Sequence, residues 1–308
     1  MQSKINPPTL ITILGPTATG KTSLAAHTAH RLGAEIISAD SRQVYRGMNI
    51  GTGKDYEDYI IGDTSIPVHL IDIKDPGYEF SIFDYQQEFL KVYEDIKVRG
   101  KIPILCGGSG LYIDAILRSY DLRTVPKDEK LRQELKKKPE EELIRMLEGF
   151  GPLHNKTDIT DKERLMRAIE IRSFYSDQDK QPEKLSLQNI DVFGINFERP
   201  RLRENITRRL RDRLDNGMIE EVQALLDSGL EPKQLIFYGL EYKYITMFLI
   251  GELRYLDMFR LLNTAIHQFA KRQMTWFRRM ERNGINIQWI DGELPLSKKV
   301  SFILKNIK

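Results

Sequence analysis

An α/β fold is what this sequence predicts: a P-loop (phosphate-binding loop) core with a parallel sheet flanked by helices, carrying a helical insertion domain. Three observations predict it. Short apolar runs alternate with helical stretches through the first third of the chain. One of those runs passes through a glycine-rich turn into a helix, and a charged helical stretch interrupts the pattern before strand character returns near Val192. Strands separated by helices are joined by crossovers, which makes neighbouring strands parallel and covers both faces of the sheet.

The elements follow in order. Thr9–Leu14 has the unbroken apolar character of a buried strand, and a helix is predicted from about Thr22 to Leu32. Glu35–Ser38 reads as the second strand and Val68–Ile73 as the third, and a helix from about Ser81 to Val98 leads to the strand Ile102–Cys106. From Pro126 to about Lys184 charged residues dominate, the pattern is helical and no run is convincing as a strand. Within it Lys136–Glu142 is a solvated turn between helices, and Asp177–Lys184 a polar connector. The chain rejoins the sheet at Val192–Phe197, and long helices fill most of the remainder. The predicted domains are residues 1–123 with 190–308, the core, and residues 124–189, the insertion.

The chain has 308 residues, 41% hydrophobic and 30% charged, enough to bury a full core. No apolar run approaches the ~20 residues that cross a bilayer, so no membrane association is expected. The first residues lack the apolar stretch of a secretory signal. A single cysteine, Cys106, excludes an internal disulfide framework and a thiolate zinc site and fits a reducing, cytoplasmic compartment. The net charge of +3 is unevenly spread: seven arginines stand against Glu204 and Asp212 between Arg199 and Arg213, and Lys271, Arg272, Arg278, Arg279 and Arg282 face only Glu281. Such clusters suit phosphates, although a basic solvated helix face has the same composition.

Gly15-Pro16-Thr17-Ala18-Thr19-Gly20-Lys21-Thr22 matches G-x-x-x-x-G-K-[ST], and it follows an apolar strand and opens a helix, the context the motif requires. Loop amides and a helix N-terminus make an anion cradle, Lys21 adds a charge, and Thr22 offers a hydroxyl to Mg²⁺. The motif binds phosphates without saying which bond breaks. Asp40 follows the second strand, so it is expected at the same sheet edge, where a carboxylate accepts a proton or holds metal-bound water; capping its own turn is the alternative. Gly107-Gly108-Ser109-Gly110 opens another helix there, and Leu111 breaks the G-x-S-x-G pattern of a nucleophile elbow. Asp72 reads as a loop cap in preference to a metal-binding acid. His27 and His30 lack partners at ligand spacing, and Cys106 is expected to be a small buried strand residue.

Taken together, GPTATGKT at 15–22, SADSRQVYRGMNIGTGK at 38–54, HLIDI at 69–73, GGSGLY at 107–112, ERLMRAIEI at 163–171 and QFAKRQMTWFR at 268–278 resemble, in family order and over nearly the whole chain, the bacterial-type tRNA dimethylallyltransferases (tRNA isopentenyltransferases). The resemblance implies transfer of a dimethylallyl group from dimethylallyl pyrophosphate, with Mg²⁺, to the exocyclic amine of an adenosine beside the anticodon. By the same resemblance Asp40 is the general base, and Ser109 occupies a position, usually threonine, that contacts the reaction centre. Arg209 falls near a pyrophosphate-binding arginine, its register blurred by its neighbours. Contacts to the tRNA anticodon arm are implied for Asp40, Ser41, Arg42 and Gln43, for Arg132, for Arg164 and Arg167, and for Lys271, Arg272 and Gln273. The family's G-Y-[KR]-[EQ] segment is altered here to Phe237-Tyr238-Gly239-Leu240-Glu241-Tyr242-Lys243-Tyr244, which leaves Tyr242 and Lys243 as its shifted counterparts. No zinc-finger-like extension follows, and a monomer is expected. The alternatives are an adenylate isopentenyltransferase acting on free nucleotide, a P-loop kinase consuming ATP, and an RNA-binding module without catalysis.

Overall fold

The computed structural model describes residues 10–120, 122, 125–151, 161–176, 187 and 189–307, and the chain divides into two compact units, residues 1–120 with 185–308 and residues 121–184. The larger unit is built on a six-stranded sheet of β1 (Leu10–Leu14), β2 (Glu35–Ala39), β5 (Val68–His69), β6 (Pro103–Gly107), β7 (Ile190–Asn196) and β8 (Ile287–Asp291), in the order β5-β2-β6-β1-β7-β8. Every ladder in it is parallel. β3 (Ile60–Ile61) and β4 (Thr64–Ser65) form a separate small hairpin. β1 lies between two neighbours, and its register is set by Ile13 opposite both Cys106 and Phe193. All five of its residues are buried, as an apolar strand covered on both faces must be.

Helices α1 (Lys21–Leu32), α2 (Ile82–Val98) and α3 (Gly110–Leu117) follow strands, as crossovers require. Ser81 caps α2 in a reciprocal pair with Asp84, which explains why that helix starts where it does. One face of the sheet packs Tyr85, Phe89, Ile113 and Phe277 over Leu14, Ile37 and Leu105, and the other packs Leu24, Ala25 and Ile303 over Ile11, Ile36 and Phe193. A third core joins α7 (Arg199–Asp215), α8 (Met218–Asp227), α9 (Pro232–Phe237), α10 (Leu240–Leu249) and α11 (Tyr255–Arg282) to Val44, Tyr45 and Met48. The chain ends in α12 (Leu296–Asn306). The smaller unit consists, among its described residues, of α4 (Glu129–Lys136), α5 (Glu140–Gly149) and α6 (Lys162–Ser176), packed around Leu135, Leu143, Leu147, Leu165 and Ile169. The predicted connector at 177–184 lies outside the described residues. No helix among them is long and apolar enough to cross a membrane.

Two expectations about the strands are corrected. Val68–Ile73 is not a full strand, because Leu70 and Asp72 take left-handed backbone angles (φ 62° and 54°) that end the ladder after His69. The sequence reading also passed over β8, an edge strand that pairs with β7 from Val192 opposite Ile287 to Asn196 opposite Asp291.

Candidate active site

Because the sheet is parallel, the loops after β1, β2 and β6 all open at one edge, where ligands gather in doubly wound folds. There they line a cavity of about 700 Å³ together with residues of α7, α10 and α11. The phosphate loop runs from Gly15 to Gly20, with Ala18 and Gly20 at positive φ, and α1 begins at Lys21. Thr19 Oγ1 donates to Pro16 O at 2.9 Å, and the Lys21 ammonium reaches the same carbonyl at 3.4 Å. Burial pulls the Lys21 pKa below its usual value; Arg209 and Arg213 act in the same direction, while Cys106 and Asp40 oppose it. An arriving anion relieves this cationic crowding.

Asp40 and Ser109 line the same cavity. Asp40 does cap its own turn, Oδ1 accepting from Arg42 N–H at 2.9 Å. The other oxygen, Oδ2, has no hydrogen-bond partner among the described residues. Ser109 N–H donates to Ala39 O at 3.2 Å, and Ser109 Oγ accepts from Ser41 N–H at 3.2 Å, which leaves the hydroxyl proton to donate elsewhere. This approach depends on Gly107, since a Cβ there would run into the Ala39 carbonyl. Burial pushes the Cys106 thiol up to about 12, so it is inert as a nucleophile. Asp72, expected as a loop cap, instead accepts from the buried Lys54 ammonium and from the Tyr56 hydroxyl.

Three arginines of the arginine-rich helix face the cavity. Arg208, Arg209 and Arg213 of α7 line it, and Arg209 Nη1 donates to Thr17 Oγ1 on the phosphate loop at 3.4 Å. Of the residues expected to meet RNA, Ser41, Arg42, Gln43, Tyr242, Arg272 and Gln273 also line the cavity. Tyr242 is 1% exposed, with its hydroxyl donating to Glu221 Oε1 at 2.6 Å, so most of its ring supports the cavity wall. Gln273 is 6% exposed. Its Oε1 accepts from Thr17 N–H and its Nε2 donates to Gly108 O, both at 2.9 Å, so it staples α11 to two of the loops. Gln43 is occupied too, bonded to Ser38 Oγ at 2.8 Å and Gly53 O at 3.0 Å. Lys271 is exposed, and Lys243 lies over the Tyr244 ring. In the smaller unit Arg164 is exposed, whereas Arg132 and Arg167 both pair with Glu170, whose side chain is 2% exposed.

Four acids escaped sequence reading: Asp55, Asp58 and Glu241 in the cavity lining, and Glu221 behind it. Burial raises the pKa of Asp58, with Asp55 adding to the effect, and raises that of Glu241 against the pull of Arg213 and Arg209. For Asp55, Asp58 and Glu241 the sequence signal was position near the glycines at 51, 53 and 239. Thr22 and Asp40 both line the cavity, and among the described residues no three His, Cys, Asp or Glu side chains cluster to cage a metal. A hydroxyl and one carboxylate beside a phosphate cradle fit a Mg²⁺ held mainly by substrate phosphates and water.

Fold and site together define a phosphate-loop enzyme whose cavity sets an anion cradle beside a carboxylate and a hydroxyl. The family model described as IPP transferase matches residues 43–280, and the chain belongs to that family. It is 52% identical to tRNA dimethylallyltransferase 2 of Bacteroides fragilis over 299 residues, covering 97% of this chain and 98% of that one. It is 53% identical to tRNA dimethylallyltransferase 1 of Parabacteroides distasonis over 296 residues, 96% of each chain. Among solved structures it resembles the tRNA isopentenylpyrophosphate transferase of Bacillus halodurans, with a TM-score of 0.70, 34% identity and coverage of 96% and 94%.

Proposed function

We propose that the protein transfers the dimethylallyl group of dimethylallyl pyrophosphate to the exocyclic amine of the adenosine 3′ of the anticodon in tRNA, releasing pyrophosphate, in the cytoplasm. The observation that carries this reading is one cavity in which the phosphate loop, Lys21 and Arg209 face Asp40 and Ser109. The amine attacks the allylic carbon, the bond from that carbon to the bridging oxygen breaks, and the electron pair leaves with the diphosphate. Loop amides, Lys21 and Arg209 stabilise the charge developing on the leaving group. Asp40 Oδ2 takes the proton that the amine loses, and the Ser109 hydroxyl donates to the reacting centre. Mg²⁺, when bound beside Thr22, adds Lewis-acid stabilisation of the diphosphate. RNA is held through its phosphates by exposed cations such as Lys271, Arg272 and Arg164 while the base leaves its stack. The smaller unit, residues 121–184, serves that grip.

The test is one incubation of purified protein with labelled dimethylallyl pyrophosphate, Mg²⁺ and either unmodified tRNA or AMP. Label is expected on tRNA alone; label on AMP alone would make the protein an adenylate isopentenyltransferase.

A further inference from the structure

The cavity carries its own anion. Asp55 Oδ2 accepts from Arg209 Nη2 at 2.6 Å, and Asp55 Oδ1 accepts from Arg213 Nη2 at 3.3 Å. Both arginines bear on the phosphate loop, since Arg209 also reaches Thr17 and both act on the charge of Lys21. Three cations thus crowd one wall, and Asp55 is the carboxylate paired with two of them.

The arginines do not depend on Asp55 for their position. Both pack against the backbone of Gly53, where an added Cβ would run into the Arg213 guanidinium and lie 2.9 Å from Arg209 Nη2. The strand of loop that carries Gly53 is fixed from behind, the Glu221 carboxylate accepting from the N–H groups of Asn49, Ile50 and Gly51 at 2.8, 2.7 and 3.0 Å. Helix α7 is itself locked by Leu202, Ile206, Leu210 and Leu214 in a buried core. Asp55, by contrast, is half exposed, with 44% of its side chain open to solvent, so it can turn away without disturbing the wall.

We propose that Asp55 is a resident counter-ion that diphosphate displaces from Arg209 and Arg213, so that it sets how tightly the cavity holds diphosphate and how readily it lets go. This rests on the reading of the cavity as the diphosphate site of a prenyl transferase. The physical reason is competition. Arginine forks bind phosphate oxygens bidentately and more strongly than a solvated carboxylate, so the ligand wins. Its net affinity is nevertheless measured against a free state in which the arginines are already paired, and is lowered by that pairing. When pyrophosphate leaves, Asp55 returns and the cations are not left uncompensated.

The experiment is calorimetric titration of inorganic pyrophosphate, with Mg²⁺, into the wild type, Asp55→Asn and Asp55→Ser. Two partly exposed ion pairs lost to the competitor predict about fivefold tighter pyrophosphate in both variants. Product inhibition by pyrophosphate should sharpen by the same factor. In an Arg213→Ala background the Asp55→Asn gain should shrink, because one of the contested partners is gone. A merely structural carboxylate would not tighten the ligand when removed. Unchanged or weaker pyrophosphate binding in variants that keep the wild-type melting temperature overturns the inference while leaving the functional reading intact. A wild type that binds neither pyrophosphate nor dimethylallyl pyrophosphate overturns the functional reading, and this inference with it.

Discussion

Asp40 and Ser109 divide a small set of hydrogen-bonding atoms between structure and chemistry. One Asp40 oxygen holds the Arg42 amide, and the Ser109 oxygen accepts from the Ser41 amide, so each side chain is oriented by the loop it serves. What remains is one carboxylate oxygen that accepts and one hydroxyl proton that donates. Asp40→Asn keeps the turn, because the amide oxygen still accepts from Arg42, yet it cannot take the proton from the adenosine amine. Turnover at saturating tRNA should fall by about 10²-fold or more while tRNA affinity stays near the wild-type value. Single-turnover kinetics beside a binding measurement checks this, and unchanged turnover would remove Asp40 as the base. Lys21 is a different case, since it meets the leaving group and not the amine. Lys21→Ala should raise the KM for dimethylallyl pyrophosphate and lower kcat, with KM for tRNA unaffected. An unaltered response to the prenyl donor would take that role from it.

At the scale of elements, buried carboxylates act as staples. Glu170 on α6 holds Arg132 of α4, Arg167 of its own helix and the Asp128 N–H at 2.6 Å, tying together the start of α4 and the middle of α6. Burial alone would raise its pKa, but the hydrogen bonds from Arg132, Arg167 and the Asp128 amide outweigh it and hold the carboxyl at about 2. A depressed folded-state pKa means a contribution fully present above the unfolded value, near 4.3, and lost as pH falls through the folded one. The smaller unit should therefore lose stability between about pH 4.5 and 2. Glu170→Gln should cost it about 3 kcal/mol at neutral pH, because two guanidinium groups lose their charge partner. Amide exchange of α4 and α6 reads both effects, and protection that stays level across that pH range would deny Glu170 this part. The same elements explain what sequence could not supply. The strands around β1 and the helices that cross over it were legible from apolar runs and glycine turns, which act locally. Tyr242 and Gln273 were not, because a polar side chain shows its fate only when its partner is known. Those partners, Glu221 for the first and Thr17 and Gly108 for the second, lie 21, 256 and 165 residues away. β8 went unseen for a related reason: Ile287–Asp291 is a short edge strand with polar Gln288 and Asp291 among its five residues, recognisable only beside β7.

For the molecule as a whole, the net charge of +3 matters less to RNA than which cations are left without an acid beside them. Arg132 and Arg167 share Glu170, Lys54 pairs with Asp72, and Arg99 pairs with Glu35. Lys271 and Arg278 on α11, by contrast, are exposed and have no ion pair among the described residues. Cations of this kind contact phosphates and release counter-ions, so their energetic signature is dependence on salt and not on sequence. Lys271→Ala and Arg278→Ala should each weaken tRNA binding by a similar factor for every tRNA tested. Each should also flatten the slope of log affinity against log salt by about 0.7 to 0.9, the share of one phosphate contact. Filter binding of two unrelated tRNAs at four or more salt concentrations measures slope and affinity together. A wild-type slope in both variants would put this stretch of α11 off the path of the RNA, and a loss confined to one tRNA would mean that these side chains read bases and not backbone.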